Sequence, residues 1–203
     1  MPFINRYKFR RENKAFNNFG NTVLLKAKDA LEEIDVHFWL DFGTLLGVYR
    51  DGKLIGHDTD VDIAIFLKDY SPKIEEAMQK HGFSYTHRID IDNGTKALEQ
   101  SFAYKDVAID IFYYTQQGDQ NVCHLFPLNK QKERVCREIY TTFDGFTTID
   151  FLDTQWQIPK NTEQRLSDTY GEEFRIPIKN WYTPDDALNS KLTNDICKET
   201  KYN

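Results

Sequence analysis

Gly43-Thr44-Leu45-Leu46-Gly47 and, further on, Asp58-Thr59-Asp60-Val61-Asp62-Ile63-Ala64-Ile65 are the stretches whose reading decides the fold of this 203-residue chain. In the second, Val61, Ile63 and Ile65 alternate with Asp60, Asp62 and Ala64, which is strand periodicity with one apolar face. Residues i, i+2 and i+4 of a strand share a face, about 6–7 Å apart step to step. Asp58, Asp60 and Asp62 therefore stand together, and three carboxylates on one face repel unless a cation or bound protons intervene. Acids are poor strand formers, so the run is hard to explain without a ligand. The first stretch is a small-residue turn opening a short helix over residues 44–50. Its backbone amides at Gly43 and Thr44, with the Thr44 hydroxyl, are placed to receive a phosphate. A phosphate-binding turn beside an acid cluster points to divalent-metal chemistry on a phosphorylated substrate.

Outward from there, Phe16, Phe19, Val23, Leu24, Ala27, Leu31 and Ile34 recur at helical spacing and predict an amphipathic helix over 14–35. A short strand follows at 36–40. Asp51-Gly52 signals a turn, and Ser71-Pro72 opens a helix, with Ser71 as N-cap, that His81-Gly82 closes. Strands are expected at 83–89 and 99–104 around a polar loop containing Asn93-Gly94. The run from Val107 to Tyr114 is apolar and aromatic except for Asp110, as at the centre of a sheet. Further strands are expected at 122–126, 138–142 and 146–149. A helix over 161–170 follows, with Asn161 as N-cap and Gly171 at its stop. The order of elements predicts an α/β (α+β) domain, a mixed sheet flanked by helices. It takes in residues 1–203 as one unit, with a basic arm at 1–13 and a wrapping tail at 178–203 that has little periodicity.

Composition narrows the function. Hydrophobic residues at 40% mark a globular chain, and a net charge of −6 argues against nucleic acid as a partner. Cys123, Cys136 and Cys197 form no CxxC pair, and their odd number suits a reducing compartment. No apolar stretch matches a membrane span or a signal peptide, so a cytoplasmic protein is expected. The opening Arg6, Lys8, Arg10, Arg11 and Lys14, interleaved with Tyr7 and Phe9, forms a solvated arm or a contact with the anionic inner face of a membrane.

Asp60 and Asp62 lead the candidate residues, since Mg²⁺ or Mn²⁺ takes one or two carboxylates plus substrate phosphates. Asp110 is the natural third, because a carboxylate inside so apolar a strand is costly to bury unpaired. It joins the cluster or serves as general base on a hydroxyl. Arg50 either reaches the phosphates or pairs with Asp41 or Asp51. His57 lines the pocket, while His37, His81 and His87 read as surface or packing residues. Cys123-His124 with Cys136 falls short of the four close ligands a tetrahedral zinc site needs.

The string Phe38-Trp39-Leu40-Asp41-Phe42-Gly43-Thr44-Leu45-Leu46-Gly47-Val48-Tyr49-Arg50, followed by Ile55-Gly56-His57-Asp58-Thr59-Asp60-Val61-Asp62-Ile63, resembles the LicD/fukutin family of the nucleotidyltransferase-fold superfamily. Ile158-Pro159-Lys160-Asn161, Leu166 to Tyr170-Gly171 and Pro177 match the family's later segment, so the resemblance spans residues 36–177. It implies metal held by Asp60, Asp62 and Asp110. The diphosphate falls to Gly43, Thr44 and Arg50, and the pocket to His57, Asp58 and Lys160. Members move a phospho-alcohol, phosphocholine or ribitol phosphate, from a CDP-activated donor to a glycan or lipid-linked glycan hydroxyl. Gly56, Thr59 and Asp51 depart from the family pattern, beside the metal pair rather than in it. The chain is also short, without the extra domains of eukaryotic members. Two rivals share the residues: a nucleotidyltransferase moving NMP from an NTP to a hydroxyl, and a non-catalytic nucleotide-binding module.

Overall fold

The computed structural model describes residues 6–178 and 181–202. In chain order these form α1 (Arg6–Glu33), β1 (Phe38–Leu40), α2 (Phe42–Asp51), β2 (Asp60–Phe66), α3 (Lys73–Lys80), β3 (Ser84–Ile91), β4 (Ala97–Tyr104) and β5 (Val107–Gln117). There follow β6 (Gln120–Leu125), β7 (Arg137–Thr141), β8 (Phe146–Phe151), β9 (Thr154–Pro159), α4 (Thr162–Tyr170), α5 (Thr183–Asp186), β10 (Ser190–Leu192) and β11 (Lys198–Lys201). The result is the mixed α/β architecture expected.

β5 is the pivot of the main sheet, because its apolar run tolerates burial on both faces. It pairs in parallel with β2 and antiparallel with β4 and β6. Val107, Ile109, Ile111 and Tyr113 point into the larger core, which α1, α2 and α3 cover. Phe112 and Tyr114, on the opposite face, join a second cluster around Trp39, Phe42 and Cys123. Asp110 precedes them on that face, at the edge of the aromatic packing.

The first helix starts at Arg6, well ahead of position 14. Its buried stripe of Phe16, Val23, Leu24, Ala27 and Leu31 is the one the periodicity marked. Residues 8–11 carry only exposed side chains, so no apolar face announces the extra turns. Lys8 and Glu12 form an i,i+4 pair there at 3.5 Å. Residues 1–5 of the expected arm lie outside the described residues. No helix among the described residues is long and apolar enough to cross a membrane.

Two further differences concern strands. The 178–203 segment supplies both outer strands of the sheet, β10 against β7 and β11 against β3. Backbone pairing holds them, and Leu192 stays 63% exposed, so they show little alternation. β9 closes a hairpin with β8 through Leu152 and Asp153, both at positive φ (55° and 57°), without the Asn-Gly that usually signals such a turn. Its Trp156 and Ile158 are buried in the larger core. In β3 the register slips between Tyr85 and His87, a bulge at Thr86 that brings His87 opposite Ser101.

Candidate active site

The β2–β5 pairing sets Asp62 directly beside Asp110, with Asp60 one step along the same face. Carboxylate oxygens of Asp60, Asp62 and Asp110 all lie within 4.8 Å of one another. The loop before β2 is tied to α1, where the Asn13 amide donates to the carbonyls of Gly56 (2.9 Å) and Asp58 (2.8 Å).

The start of α2 clamps the middle acid. Phe42 adopts φ 43°, a costly conformation for a bulky residue, and is wedged against the Phe112 ring (4.8 Å) and the Arg165 guanidinium (5.0 Å). The turn aims the Gly43 N–H at Asp62 Oδ2, 3.1 Å away. A Cβ at position 43 would stand 3.0 Å from Asp58 Oδ2 and 3.4 Å from Asp62 Oδ2. A side chain at position 43 would press on both carboxylates and make them shift. The buried Thr44 hydroxyl accepts the Asp62 N–H at 2.8 Å, and the Asp41 N–H donates to the Asp62 carbonyl at 3.3 Å. Gly43 and Thr44 thus hold Asp62.

This clamp rests on a buried ion pair. Arg165 Nη2 lies 2.8 Å from Asp41 Oδ1, the Tyr114 hydroxyl donates to Asp41 Oδ2 at 2.6 Å, and Arg165 also donates to Tyr114 (3.0 Å) and Thr169. Both charged groups are essentially inaccessible to solvent. On the other flank, the Ser101 hydroxyl donates to Asp110 Oδ1 and lies 3.0 Å from His87 Nε2, with Glu99 3.8 Å beyond. The Glu99 carboxylate holds the His87 pKa up against its burial.

Burial first, then mutual repulsion, raises the proton affinity of the acids. Asp110 is pushed up to about 7 by desolvation, then by Asp60 and Glu99. Asp58 also stands at about 7, through desolvation and Asp60, with Arg50 opposing. Asp62 is raised well above the ordinary range by desolvation, then Asp60 and Asp110. Asp60 is raised by desolvation, with the Thr59 backbone and hydroxyl opposing the shift. Three half-buried, hard oxygen donors that crowd one another fit a small divalent cation.

Arg50 pairs with Asp51 at 2.8 Å and donates to the Phe174 carbonyl at 3.3 Å. His57 is exposed. Lys160 lines a cleft of about 380 Å³ with Tyr49, Ile149, Ile158 and Glu163, whose lining includes none of the three acids. Asn161 sits at the α4 N-cap position, but its side chain binds the Thr142 carbonyl (2.8 Å) and Asp144 N–H (3.3 Å). Arg165, Ser101, His87 and Asn13 escaped the sequence reading. A signal existed for Arg165, which shares a helical face with Leu166, Thr169 and Tyr170. Nothing comparable marked Ser101 or His87.

The LicD/FKTN/FKRP nucleotidyltransferase domain matches residues 35–161. The chain is 34% identical over 169 residues to the ribitol-5-phosphate transferase FKTN of Mus musculus, covering 82% of this chain and 35% of that protein. It is 31% identical over 173 residues to the Homo sapiens FKTN, covering 84% and 36%. An uncharacterized protein of Rickettsia typhi, RT0683, is 26% identical over 161 residues, 75% of this chain and 50% of its own length. The chain thus spans about a third of the length of the FKTN proteins it matches.

Proposed function

Because the chain belongs to the LicD/FKTN/FKRP nucleotidyltransferase-domain family, we propose that it is a phospho-alcohol transferase of glycan synthesis. It moves ribitol 5-phosphate or a similar group from a CDP-activated donor to a glycan or lipid-linked glycan hydroxyl. The observation that carries this reading is the convergence of Asp60, Asp62 and Asp110 within 4.8 Å beside a clamped helix start. The names of the FKTN relatives favour ribitol 5-phosphate as the transferred group.

Asp60, Asp62 and Asp110 would hold Mg²⁺ or Mn²⁺, which when bound neutralises charge on the two donor phosphates as CMP leaves. Asp62 is kept in place by Gly43 and Thr44, so the ligand geometry is set before substrate arrives. Asp110, steadied by Ser101, takes the proton of the attacking hydroxyl. Arg50 supplies positive potential on the Asp58 side and exchanges Asp51 for the donor diphosphate. His57 and Asp58 line the approach, and Lys160 with its cleft receives the donor alcohol or the acceptor. The exposed basic turn of α1 provides a peripheral contact with an anionic membrane surface.

The test is CMP release from CDP-ribitol, CDP-choline, CDP-glycerol and CDP-ethanolamine, with and without Mg²⁺ or Mn²⁺. The four NTPs run alongside, and Asp60→Ala is the control. A metal-dependent response to CDP-ribitol, lost in the variant, supports the proposal. A response confined to NTPs replaces it with nucleotidyl transfer.

A further inference from the structure

A second polar cluster lies away from the three aspartates, where β6, β7 and the segment after β10 meet. His124 and Glu138 are register partners in the β6–β7 pair, so their side chains stand together on one face. Cys123, the next residue along, points the opposite way into the Trp39–Tyr114 aromatic packing. Asp195 reaches the same spot from the tail, and ligand atoms of His124, Glu138 and Asp195 lie within 4.8 Å of one another.

The imidazole is the unusual member. His124 is 1% exposed, and neither Nδ1 nor Nε2 makes a hydrogen bond of acceptable geometry. Nε2 stands 3.3 Å from Glu138 Oε1, out of alignment for donation. Buried polar nitrogens are rarely left so, and the usual resolution is a partner the protein chain does not supply. The two acids are already oriented. Tyr140 donates to Glu138 Oε2, and the Thr193 hydroxyl lies 3.0 Å from Asp195 Oδ2. Such outer contacts are how ligating carboxylates are steadied. Lys96 Nζ now sits 2.6 Å from Asp195 Oδ1, offsetting one charge from a flexible, 38% exposed side chain that can swing away.

We propose that His124, Glu138 and Asp195 form a second metal site that takes a borderline divalent transition ion such as Zn²⁺ and fastens the C-terminal segment to the sheet. One imidazole and two carboxylates suit Zn²⁺ or Co²⁺ over Mg²⁺, which prefers oxygen alone and keeps most of its water. The three ligands come from separate elements, so binding links β10 and β11 to β6 and β7 at one point. Cys136 and Cys197 pack in one cluster nearby, so their thiols are the competing donors that the experiment separates from the three ligands.

The experiment uses the full chain carrying Asp60→Asn and Asp62→Asn, which disables the first cluster. Zn²⁺ binding is measured by titration of the metal-free protein, with Co²⁺ absorption as a second readout. One Zn²⁺ per chain is expected. Adding Asp195→Asn weakens binding at least about tenfold, and Lys96→Met, which removes the competing cation, tightens it. Zn²⁺ also slows proteolysis within residues 193–202. Asp195 and Lys96 lie at the protein surface, so neither variant depends on rebuilding the buried His124. Absence of Zn²⁺ binding overturns the proposal, as does binding indifferent to Asp195→Asn or Lys96→Met. Loss of binding in a Cys136→Ser/Cys197→Ser variant with Asp195→Asn unaffected reassigns the site to the thiols. None of these readouts involves CDP-alcohol turnover, so the second site fails or stands apart from the transferase proposal.

Discussion

Arg165→Met is the substitution that most directly tests how the active site is held. The guanidinium is 1% exposed and its partner Asp41 is fully buried, joined at 2.8 Å, while Tyr114 supplies the second carboxylate oxygen with a hydrogen bond at 2.6 Å. Methionine fills much of the volume but leaves the Asp41 charge with the Tyr114 hydroxyl alone. Removing one member of a buried pair costs about 3–5 kcal/mol. The retained tyrosine bond argues for the lower end, about 3 kcal/mol. For a chain of this size each kcal/mol lowers Tm by about 2–4 °C, so a fall of about 6–12 °C is expected. Urea denaturation of the metal-free protein measures the free energy directly. Asp41→Asn added to Arg165→Met removes the stranded charge and should recover a large part of the loss, with a coupling energy above about 1 kcal/mol. A loss below about 1 kcal/mol in the single variant would refute the reasoning, as would a double variant no more stable than the single.

Other expectations bear on the acids. Asp58 and Asp110 titrate near 7 in the fold against an ordinary 3.8, so between those values the folded chain keeps protons that the unfolded chain releases. Metal-free stability should therefore fall as pH rises from 5 to 8, by a few kcal/mol at most, and Mg²⁺ or Mn²⁺ should restore it. A Tm that climbs over this range without metal contradicts the site electrostatics. Asp62→Asn removes the most crowded charge, and should raise the Tm of the metal-free protein at pH 8 while lowering CMP release by at least about a hundredfold. Gly43→Ala places a Cβ 3.0 Å from Asp58 Oδ2 and should depress turnover with Tm shifted only slightly; unchanged kinetics would show that the clamp tolerates displacement. Ser101→Ala takes away a hydrogen bond that favours ionised Asp110, so the ascending limb of the pH–rate profile should move to higher pH.

What could be read beforehand follows from where the signals are local. Alternation at 60–65 and the apolar run at 107–114 report burial directly, and both became the strands that bring the acids together. The family string around Gly43 located the helix start, though as a receiver of phosphate. In the structure the Gly43 amide and Thr44 hydroxyl are engaged by Asp62. Contacts distant in sequence left no such trace. Arg165 meets Asp41 across 124 positions, and nothing in either neighbourhood names the other. His87 looked like a surface residue because its partner Ser101 depends on strand pairing. β10 and β11 bury too little to alternate, and the β8–β9 turn uses Leu152-Asp153, a pair with no turn signature.

The slip at Thr86 has a consequence for how the chain can change length. Asp62, Asp110, Ser101 and His87 are successive register partners, a single file crossing four strands. Tyr85 pairs with Phe102 and His87 with Ser101, so the bulge inserts one residue into the count on β3 alone. Deleting Thr86 would restore even spacing. Tyr85 would stay opposite Phe102 and His87 opposite Ser101, now as neighbours in plain alternation, so neither pair moves. A one-residue loss at the bulge therefore spares both the file and the hydrophobic face, whereas a one-residue loss between His87 and Ile91 breaks the later pairing; the polar turn at 92–95 can absorb length without disturbing either. The bulge is thus the one place in β3 where the chain can lose a residue freely, because the aromatic face before it and the imidazole after it keep their opposite sides either way.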